Sequence, residues 1–369
     1  MSIIFWLCIV LLMQVYILYP ITLRLFSLFK AGSRQAGNEN ADNMVSIIIS
    51  AHNEEEVIEE KILNTLALDY PKDKMEILIG DDGSTDKTAK IAEKFNEAYL
   101  LKREKNKGKA TMLNDLCKIA KGNFFLFSDA NTMLEKNALK NLMAEFANEN
   151  VGCACGQLML KNKSNSNLSR TESVYWKGES KLKILESNFG AVMGSNGALY
   201  AIRSKLYPIL PTHKTVADDF YITAKILMKN HSCVFCEKAL AFENTSASKY
   251  GEFKRKVRIG RANFNFLFDF LPLLNPLHPM RAYIFLSHKL LRWLSPFLLI
   301  TVFSSSILLM QEHIFYKVFF ATELLFIAAA FLGMRICSYF LSMNLALFLG
   351  FCKSFFKEKG GVWERVARG

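Results

Sequence analysis

Two stretches of the chain end an apolar run in acidic side chains. The first, Val45–Glu56, reads VSIIISAHNEEE, and the second, Met75–Asp86, reads MEILIGDDGSTD. An apolar run bounded by turn residues is typical of a buried parallel strand, and open α/β sheets bind ligands where such strands end. Carboxylates in that position can accept hydrogen bonds from a nucleobase and from ribose hydroxyls. The two stretches therefore predict two polar loops that meet at one sheet edge and form a nucleotide-sized crevice.

A basic turn that contains a glycine, Asn106–Lys109 (NKGK), opens the third predicted helix. Gly108 permits close approach of the backbone, and the N-terminus of a helix favours phosphate. The ammonium of Lys109 could therefore reach a nucleotide or its phosphates. A solvated basic turn is the alternative interpretation.

Two further acidic positions could take part in chemistry. The stretch Phe124–Asn131 (FFLFSDAN) places Asp129 at the end of an apolar strand, and Asp218 and Asp219 begin a predicted helix. One carboxylate can hold Mg²⁺ together with phosphate oxygens and water. Adjacent carboxylates disfavour each other's ionisation, so Asp218 would raise the pKa of Asp219. As an alternative, an Asp can simply cap a turn or a helix start.

Strands and helices alternate from Met44 onward, which implies a parallel sheet with right-handed crossovers. The predicted strands are Val45–Ala51, Glu76–Gly80, Tyr99–Lys102, Phe124–Ser128, Val151–Leu160 and Cys233–Phe242. The predicted helices of this region are Glu54–Leu68, Thr85–Asn96, Lys109–Ala120, Glu135–Ala147, Leu168–Leu185 and Asp218–Lys229.

The pairing of AHNEE with DDGSTD at this spacing resembles the inverting family 2 glycosyltransferases of the GT-A fold. The resemblance covers about residues 44–261 and implies an α/β domain with a Rossmann-like, mostly parallel sheet. It also implies transfer of a sugar from a nucleotide-diphosphate donor, for which we expect a UDP-sugar, to a hydroxyl of a glycan or a lipid-linked acceptor. An ordinary Rossmann-like unit with acidic loops is the alternative.

The resemblance implies a role for each matching residue. The residues expected to bind the donor are Glu54, Asp81, Asp82, Lys109, Asp129 and Arg258. The catalytic residues are expected to be Asp219, as the base, and its neighbour Asp218. The acceptor-side loop is expected to comprise Gly194, Ser195, Asn196 and Gly197, for which a simple turn is the alternative.

Two of these motifs depart from the pattern of the family. The family's metal motif is DxD, and here Asp129 is followed by Asn131, a neutral oxygen ligand that should weaken binding of Mg²⁺ or Mn²⁺. Processive relatives carry QxxRW, where this chain has Arg255 in place of Gln, a matching Arg258, and Ile259 in place of Trp. The missing Trp argues against processive polymer synthesis, because that ring would pack beside an acceptor sugar. Attraction of this basic cluster to a membrane surface is the alternative.

Apolar residues, which make up 51% of the chain, are concentrated at its two ends. Ser2–Phe29 is long enough to cross a bilayer, which takes about 20 apolar residues, and it lacks the charged start of a signal peptide. Leu291–Met310 and Val318–Met334 are predicted spans, and Ser338–Phe356 is a weaker candidate, so two or three C-terminal spans remain possible. The predicted order is an anchor (1–30), a polar linker (31–43), a GT-A domain (44–248), an amphipathic interfacial segment (249–290), C-terminal membrane helices (291–356) and a basic tail (357–369).

The formal net charge is +12. The basic residues are spread out and no nucleic-acid-reading module is visible, so we expect membrane lipids and a phosphate-bearing substrate as partners, and no nucleic acid. Arg24, Lys30 and Arg34 follow the first span, which favours a cytoplasmic location for the next segment. We therefore expect a multi-pass protein of the cytoplasmic membrane with its catalytic domain in the cytoplasm.

Two other functions fit the same motifs. A polyprenyl-phosphate glycosyltransferase would use the same donor but attack with a phosphate oxygen, which needs little help from a base. A non-catalytic membrane scaffold would bind a nucleotide sugar without turnover. The few predicted spans form a poor conduit for a glycan, so export of a product would need a partner.

Overall fold

The computed structural model describes residues 1–29, 43–161, 178–244 and 249–356. The chain divides into two compact units, an α/β domain within residues 43–244 and a helical unit that includes residues 1–29 and most of 249–356. Of the candidate site residues, Arg258 belongs to the helical unit and the others to the α/β domain. The predicted linker (apart from Asn43), the basic tail, and residues 162–177 with most of the predicted helix Leu168–Leu185 lie outside the described residues.

Within the described residues, eight strands form one mixed sheet in the order β3-β2-β1-β4-β7-β6-β8-β5. The strands are β1 Val45–Ala51, β2 Met75–Asp81, β3 Ala98–Lys102, β4 Phe124–Phe127, β5 Met133–Leu134, β6 Val151–Lys161, β7 Tyr200–Arg203 and β8 Ser232–Asn244. The helices are α1 Ser2–Met13, α2 Tyr19–Phe29, α3 Ile58–Leu66, α4 Thr88–Ala92, α5 Lys109–Ile119, α6 Ala138–Glu145, α7 178–187, α8 Asp218–Met228, α9 Lys249–Asn265, α10 Pro279–Ile284, α11 Leu291–Leu309, α12 Ile314–Phe331 and α13 Arg335–Ser354.

The directions of three neighbouring strands determine where the site lies. β1 pairs in parallel with β2 and with β4, so all three end at the same edge. β7 pairs antiparallel to β4, with Tyr200 opposite Phe127. The start of β7 therefore lies beside the end of β4, and the loop before Tyr200 reaches the same edge as the loops after β1, β2 and β4.

The central strands are fully buried because helices cover both faces of the sheet. Every residue of β1 is buried, and Ile47 and Ile49 share one core cluster with Ile58 and Ile62 of α3. On the opposite face α5 lies so close that a Cβ on Gly80 would be 2.3 Å from the sulfur of Met112. This packing explains why β1 and β2 are continuous apolar runs rather than alternating ones.

The helical unit contains four helices that are long and apolar enough to cross a membrane, among the described residues. They are Ser2–Phe29, Pro279–Leu309, Ile314–Phe331 and Arg335–Ser354. The last of these helices corresponds to Ser338–Phe356, the weaker of the predicted C-terminal spans, and it too is long and apolar enough to cross a membrane.

Helix α9, from the predicted interfacial segment, packs against α13 through two glycines. A Cβ on Gly350 would lie 2.8 Å from the carbonyl carbon of Gly260, which leaves no room for a side chain at 350, and a Cβ on Gly260 would lie 3.3 Å from Cα of Leu347, a tight contact. A guanidinium nitrogen of Arg261 donates 2.7 Å to the carbonyl oxygen of Phe356. Close contact at small residues is typical of helices that pack in membranes.

Candidate active site

The loops after β1 and β2 are joined by hydrogen bonds. Asn53 adopts a positive φ of 57°, its N–H donates 2.9 Å to Oγ of Ser84, and its Oδ1 accepts 2.8 Å from the N–H of Thr85. The N–H of Glu54 donates 2.8 Å to Oγ1 of Thr88. The structure thus brings the AHNEE and DDGSTD motifs together at one sheet edge.

Asp82 is fully buried, and its carboxylate anchors the NKGK turn. Oδ1 accepts 3.0 Å from the N–H of Lys107, and Oδ2 accepts 2.7 Å from the N–H of Gly108. The guanidinium of Arg103 donates 3.2 Å to the same carboxylate. Gly108, at φ 91°, turns the chain into α5 at this point. The contacts of Asp82 are therefore internal to the protein, and they fix the turn that presents Lys109.

Asp81 has unused hydrogen-bonding capacity in this crevice. Its Oδ1 is buried and accepts no hydrogen bond from the described residues, and its Oδ2 accepts a long one, 3.4 Å, from the N–H of Ser84. Burial raises the pKa of Asp81, and the contacts with Ser84 only partly oppose it. A buried carboxyl oxygen without a partner is unfavourable unless a ligand satisfies it. Asp81 is thus better suited than Asp82 to contact a nucleobase.

The three later acidic residues of the prediction meet at Lys109. Its Nζ lies 2.9 Å from Oδ1 of Asp129 and 3.2 Å from Oδ2 of Asp218. Burial favours the neutral amine, but Asp129, Asp218 and Asp219 outweigh it and raise the pKa of Lys109 above its usual value. Lys109 is therefore a fixed positive charge between the end of β4 and the start of α8.

Asp219 lies beside this pair at the start of α8. Its Oδ1 accepts 2.7 Å from the N–H of Phe220. Burial and the neighbouring Asp218 raise the pKa of Asp219, against the opposing effect of Lys109. A partly buried carboxylate with a raised pKa is suited to accept a proton.

The acceptor-side loop is tied to α8 and α7. The hydroxyl of Ser195 donates 3.0 Å to the carbonyl oxygen of Asp219, and the N–H of Ser195 donates 3.2 Å to Oγ1 of Thr223. Oδ1 of Asn196 accepts 2.5 Å from Lys183, whose side chain is buried. Both polar side chains of the loop are therefore held by the protein.

The two glycines of the same loop contribute space and backbone shape. Gly194 has a φ of 103°, a conformation that few other residues adopt. A Cβ on Gly197 would lie 3.3 Å from Oδ2 of Asp129, so this glycine leaves the space beside that carboxylate open.

The oxygens near Asp129 fit a divalent cation that takes most of its ligands from a phosphate and from water. Asp129 offers a carboxylate, and Asn131 offers a neutral oxygen, because its Nδ2 donates 2.9 Å to Oε1 of Glu243 and the amide oxygen therefore faces away from Glu243. Within the described ranges, no three His, Cys, Asp or Glu side chains are grouped to hold a metal. Binding of Mg²⁺ or Mn²⁺ by Asp129 and Asn131 stays a prediction, and two oxygen ligands from the protein would leave most of the coordination to phosphate and water.

Four supporting residues were not predicted from the sequence: Lys61, Arg103, Lys183 and Glu243. For Lys61 a signal existed. It lies on the same helix face as Ile58, Ile62 and Thr65, and an amphipathic pattern that includes a lysine indicates a buried amine. The other three residues, Arg103, Lys183 and Glu243, form hydrogen bonds with residues of other elements of the chain, so no local sequence pattern predicts them.

Arg258 lies on α9, in the helical unit. Its neighbours Arg255 and Lys256 both contact the carboxylate of Glu252, at 2.7 Å and 3.6 Å. The contact of Arg258 with a donor stays a prediction.

Comparison with known proteins agrees with the predicted family and fold. Residues 46–207 match the model of glycosyl transferase family 2. A probable glycosyltransferase of Bacillus subtilis, YdaM, is 27% identical over 62% of this chain and 57% of its own length. Poly-beta-1,6-N-acetyl-D-glucosamine synthase of Staphylococcus epidermidis is 26% identical over the same shares of the two chains. The alignments thus span little more than half the length of these curated relatives.

One solved structure resembles the whole chain. It is the mannosyltransferase PcManGT of Pyrobaculum calidifontis, in complex with GDP-Man and Mn²⁺. It superposes with a TM-score of 0.71 over 96% of this chain and 99% of its own, at 20% sequence identity. This likeness confirms the predicted fold.

The α/β domain therefore has the GT-A fold, with the AHNEE and DDGSTD loops joined at one edge of its sheet. Residues 46–207, which carry both AHNEE and DDGSTD, match glycosyl transferase family 2, a family of sugar-transferring enzymes, and this match confirms the resemblance drawn from the two motifs.

Proposed function

We propose that this protein is a membrane-bound inverting glycosyltransferase that moves a sugar from a UDP-sugar to a hydroxyl of a glycan or a lipid-linked acceptor. The observation that carries the proposal is the cluster around Lys109, where Asp129 and Asp218 both lie within 3.2 Å of one ammonium and Asp219 adjoins it. A proton acceptor and a positive charge at one sheet edge are what displacement of a diphosphate requires.

The reaction is one displacement with inversion at the anomeric carbon. The acceptor oxygen forms a bond to that carbon while the bond to the diphosphate oxygen breaks, and Asp219 takes the proton of the acceptor hydroxyl. Lys109 offsets the charge that develops on the departing diphosphate. The backbone of Gly197 leaves room for the donor beside Asp129.

Asp81 is proposed to hold the base of the nucleotide through its unsatisfied Oδ1, with Glu54 on the neighbouring loop. Asp129 and Asn131 would hold Mg²⁺ or Mn²⁺, which supplies further positive charge to the diphosphate when bound. Among the relatives, the named product poly-beta-1,6-N-acetyl-D-glucosamine supports N-acetylglucosamine as the first sugar to test.

The membrane location rests on the four candidate spans and on the basic residues after the first of them. On this proposal the protein is multi-pass in the cytoplasmic membrane, its α/β domain faces the cytoplasm, and lipid and acceptor meet it there. A partner protein would export any polymeric product.

A donor panel tests the function. The full chain, purified in lipid nanodiscs with Mg²⁺ or Mn²⁺ and membrane lipids, is given UDP-N-acetylglucosamine, other UDP-sugars and GDP-mannose, and nucleoside diphosphate release is measured. We expect release with one UDP-sugar in preference to GDP-mannose. Binding of UDP-sugars without release from any of them would contradict catalysis and favour a scaffold.

A further inference from the structure

Lys61 is a fully buried lysine directly behind the Asp129 loop. It lies on α3, on the face that also carries Ile58, Ile62 and Thr65. A methionine of similar length would fill this place without burying a charge. Transfer of an ammonium into the protein interior costs on the order of several kcal/mol even after the protein relaxes. An amine at this position therefore calls for a specific role.

The amine holds both ends of the loop that follows β4. Nζ donates 2.7 Å to Oγ of Ser128, the residue before Asp129. Nζ also donates 2.6 Å to the carbonyl oxygen of Thr132, the residue after Asn131. These two contacts bracket the segment that carries both proposed cation ligands.

The same network reaches the acceptor-side loop. The hydroxyl of Ser128 accepts from Lys61 and donates 2.9 Å to the carbonyl oxygen of Ala198. Ala198 follows Gly197, the glycine that leaves space beside Asp129. One buried amine thus connects α3, the Asp129 loop and the start of the segment that leads into β7.

The described groups in contact with Nζ of Lys61 accept hydrogen bonds but carry no negative charge. No carboxylate of the described residues lies within ion-pair distance of Nζ, and its acceptors are a hydroxyl and a carbonyl oxygen. Burial lowers the pKa of Lys61 to about 7, and the more distant charge of Asp129 opposes that fall. An amine keeps donors for both contacts in either protonation state, so the two hydrogen bonds do not depend on its charge.

We propose that Lys61 is a positioning residue, which fixes the Asp129 loop relative to the Gly197–Ala198 backbone and thereby sets donor affinity and turnover. This inference rests on the proposed function. Lys61 does not touch the substrate, and it acts through Ser128 and the backbone of Thr132.

The variant Lys61→Met removes both hydrogen bonds and keeps the volume of the side chain. Thr65→Val is the matched control, because Thr65 is equally buried on the same helix face and, among the described residues, its hydroxyl bonds only to the carbonyl oxygen of Lys61. The dissociation constant of UDP in the presence of Mn²⁺ is measured by calorimetry, together with kcat at saturating donor and the melting temperature of each variant. We expect K61M to weaken UDP binding about tenfold and to lower kcat about 10- to 100-fold, the scale of a 1 Å misplacement near the chemistry.

Thr65→Val is expected to change the melting temperature without changing the UDP dissociation constant. The inference is overturned if folded K61M binds UDP and turns over like the wild type, or if T65V weakens UDP binding as much as K61M does.

Ser128→Ala provides the second test and is required if K61M does not fold. It keeps the lysine and removes one of its two acceptors. We expect about a tenfold loss in kcat, and in the double variant K61M/S128A we expect no further loss, because both changes interrupt one network. A normal kcat in S128A, or fully additive losses, would count against the proposal.

The two proposals fail in different ways. Wild-type protein that binds UDP without turnover, while K61M binds it more weakly, would refute sugar transfer and support the role of Lys61. Wild-type turnover, with UDP binding and kcat of K61M equal to those of the wild type, would support sugar transfer and refute the role of Lys61. Wild-type protein that does not bind UDP would refute both.

Discussion

Asn131 donates a hydrogen bond of 2.9 Å to Glu243, a buried residue near the end of β8. A carboxylate accepts hydrogen bonds and cannot donate them, so an amide at position 131 suits this neighbour and an aspartate does not. The Asn in place of the family's second Asp is therefore matched to Glu243 within this chain.

Restoring the family's aspartate should accordingly be harmful. We expect Asn131→Asp to destabilise the protein by about 1–3 kcal/mol, because it places a second carboxylate beside the buried Glu243. Adding Glu243→Gln should recover that loss, since an amide at 243 can donate to the new carboxylate. Thermal unfolding of the two single variants and the double variant measures this, and an N131D protein as stable as the wild type would show that the pair is not coupled.

Asp219→Asn should stop transfer to a hydroxyl acceptor. An amide cannot take the proton, and loss of a general base costs about 10²- to 10⁴-fold in rate. UDP binding should stay the same, and Asp73→Asn, on an exposed turn, serves as the control for a generic loss of charge. Full turnover in D219N would point instead to an acceptor that attacks with a phosphate oxygen.

The acid side of the pH profile should depend on Asp218. Burial and Asp218 raise the pKa of Asp219, so transfer should fall as the pH decreases through a value above that of an ordinary Asp. Removing the neighbouring charge in Asp218→Asn should lower that pKa and move the fall in kcat/KM to lower pH. A pH series for both proteins tests this, and an unchanged or upward shift in D218N would contradict it.

Lys61 should make the stability of the protein depend on pH above neutrality. Its pKa is about 7 in the folded protein against 10.5 for an ordinary lysine, so between these values the unfolded chain binds more protons than the folded one. The contribution of Lys61 to the free energy of unfolding should therefore rise as the pH increases from about 7 to about 10.5. The free energy of unfolding, measured for the wild type and K61M across this pH range, should rise less with pH in K61M. An equal rise in both proteins would rule the effect out.

Gly83→Ala should damage the fold at the DDGSTD loop. Gly83 has a φ of 69°, and an added Cβ would lie 2.6 Å from the backbone of Asn106. We expect a loss of stability of about 1–3 kcal/mol together with weaker UDP binding. Gly178→Ala is the matched control, because a Cβ there meets no atom of the described residues within 4 Å and an alanine favours a helix. Equal stability of G83A and G178A would contradict this account.

The features that the sequence predicts well are those set by local pattern. The apolar runs of β1, β2 and β4 and the polar motifs after them located the sheet edge, because a parallel strand buried on both faces has a continuous apolar sequence. The start of α5 at Lys109 and of α8 at Asp218 also matched, since each begins at a clear change in composition.

The features that the sequence predicts poorly depend on contacts between residues that are far apart along the chain. β5 has two residues and β7 four, and both were missed because pairing with β8 and β4 makes them strands. The helix expected to begin at Glu54 begins at Ile58, because Glu54 and Asn53 bond to the loop after β2 instead. The different hydrogen bonding of Asp81 and Asp82 could not be predicted either, because the partner of Asp82 is a turn 25 residues later.

β4 lies between the part of the sheet that carries the AHNEE and DDGSTD loops and the part that leads to the Gly194–Gly197 loop. β1 and β2, with the nucleotide motifs, are on one side of it, and β7, with the Gly194–Gly197 loop, is on the other. A chimera joined within Phe124–Phe127 would therefore take the AHNEE and DDGSTD loops from one parent and the Asp129 and Gly194–Gly197 loops from the other, and it would divide the Lys61–Ser128 hydrogen bond between the two parents.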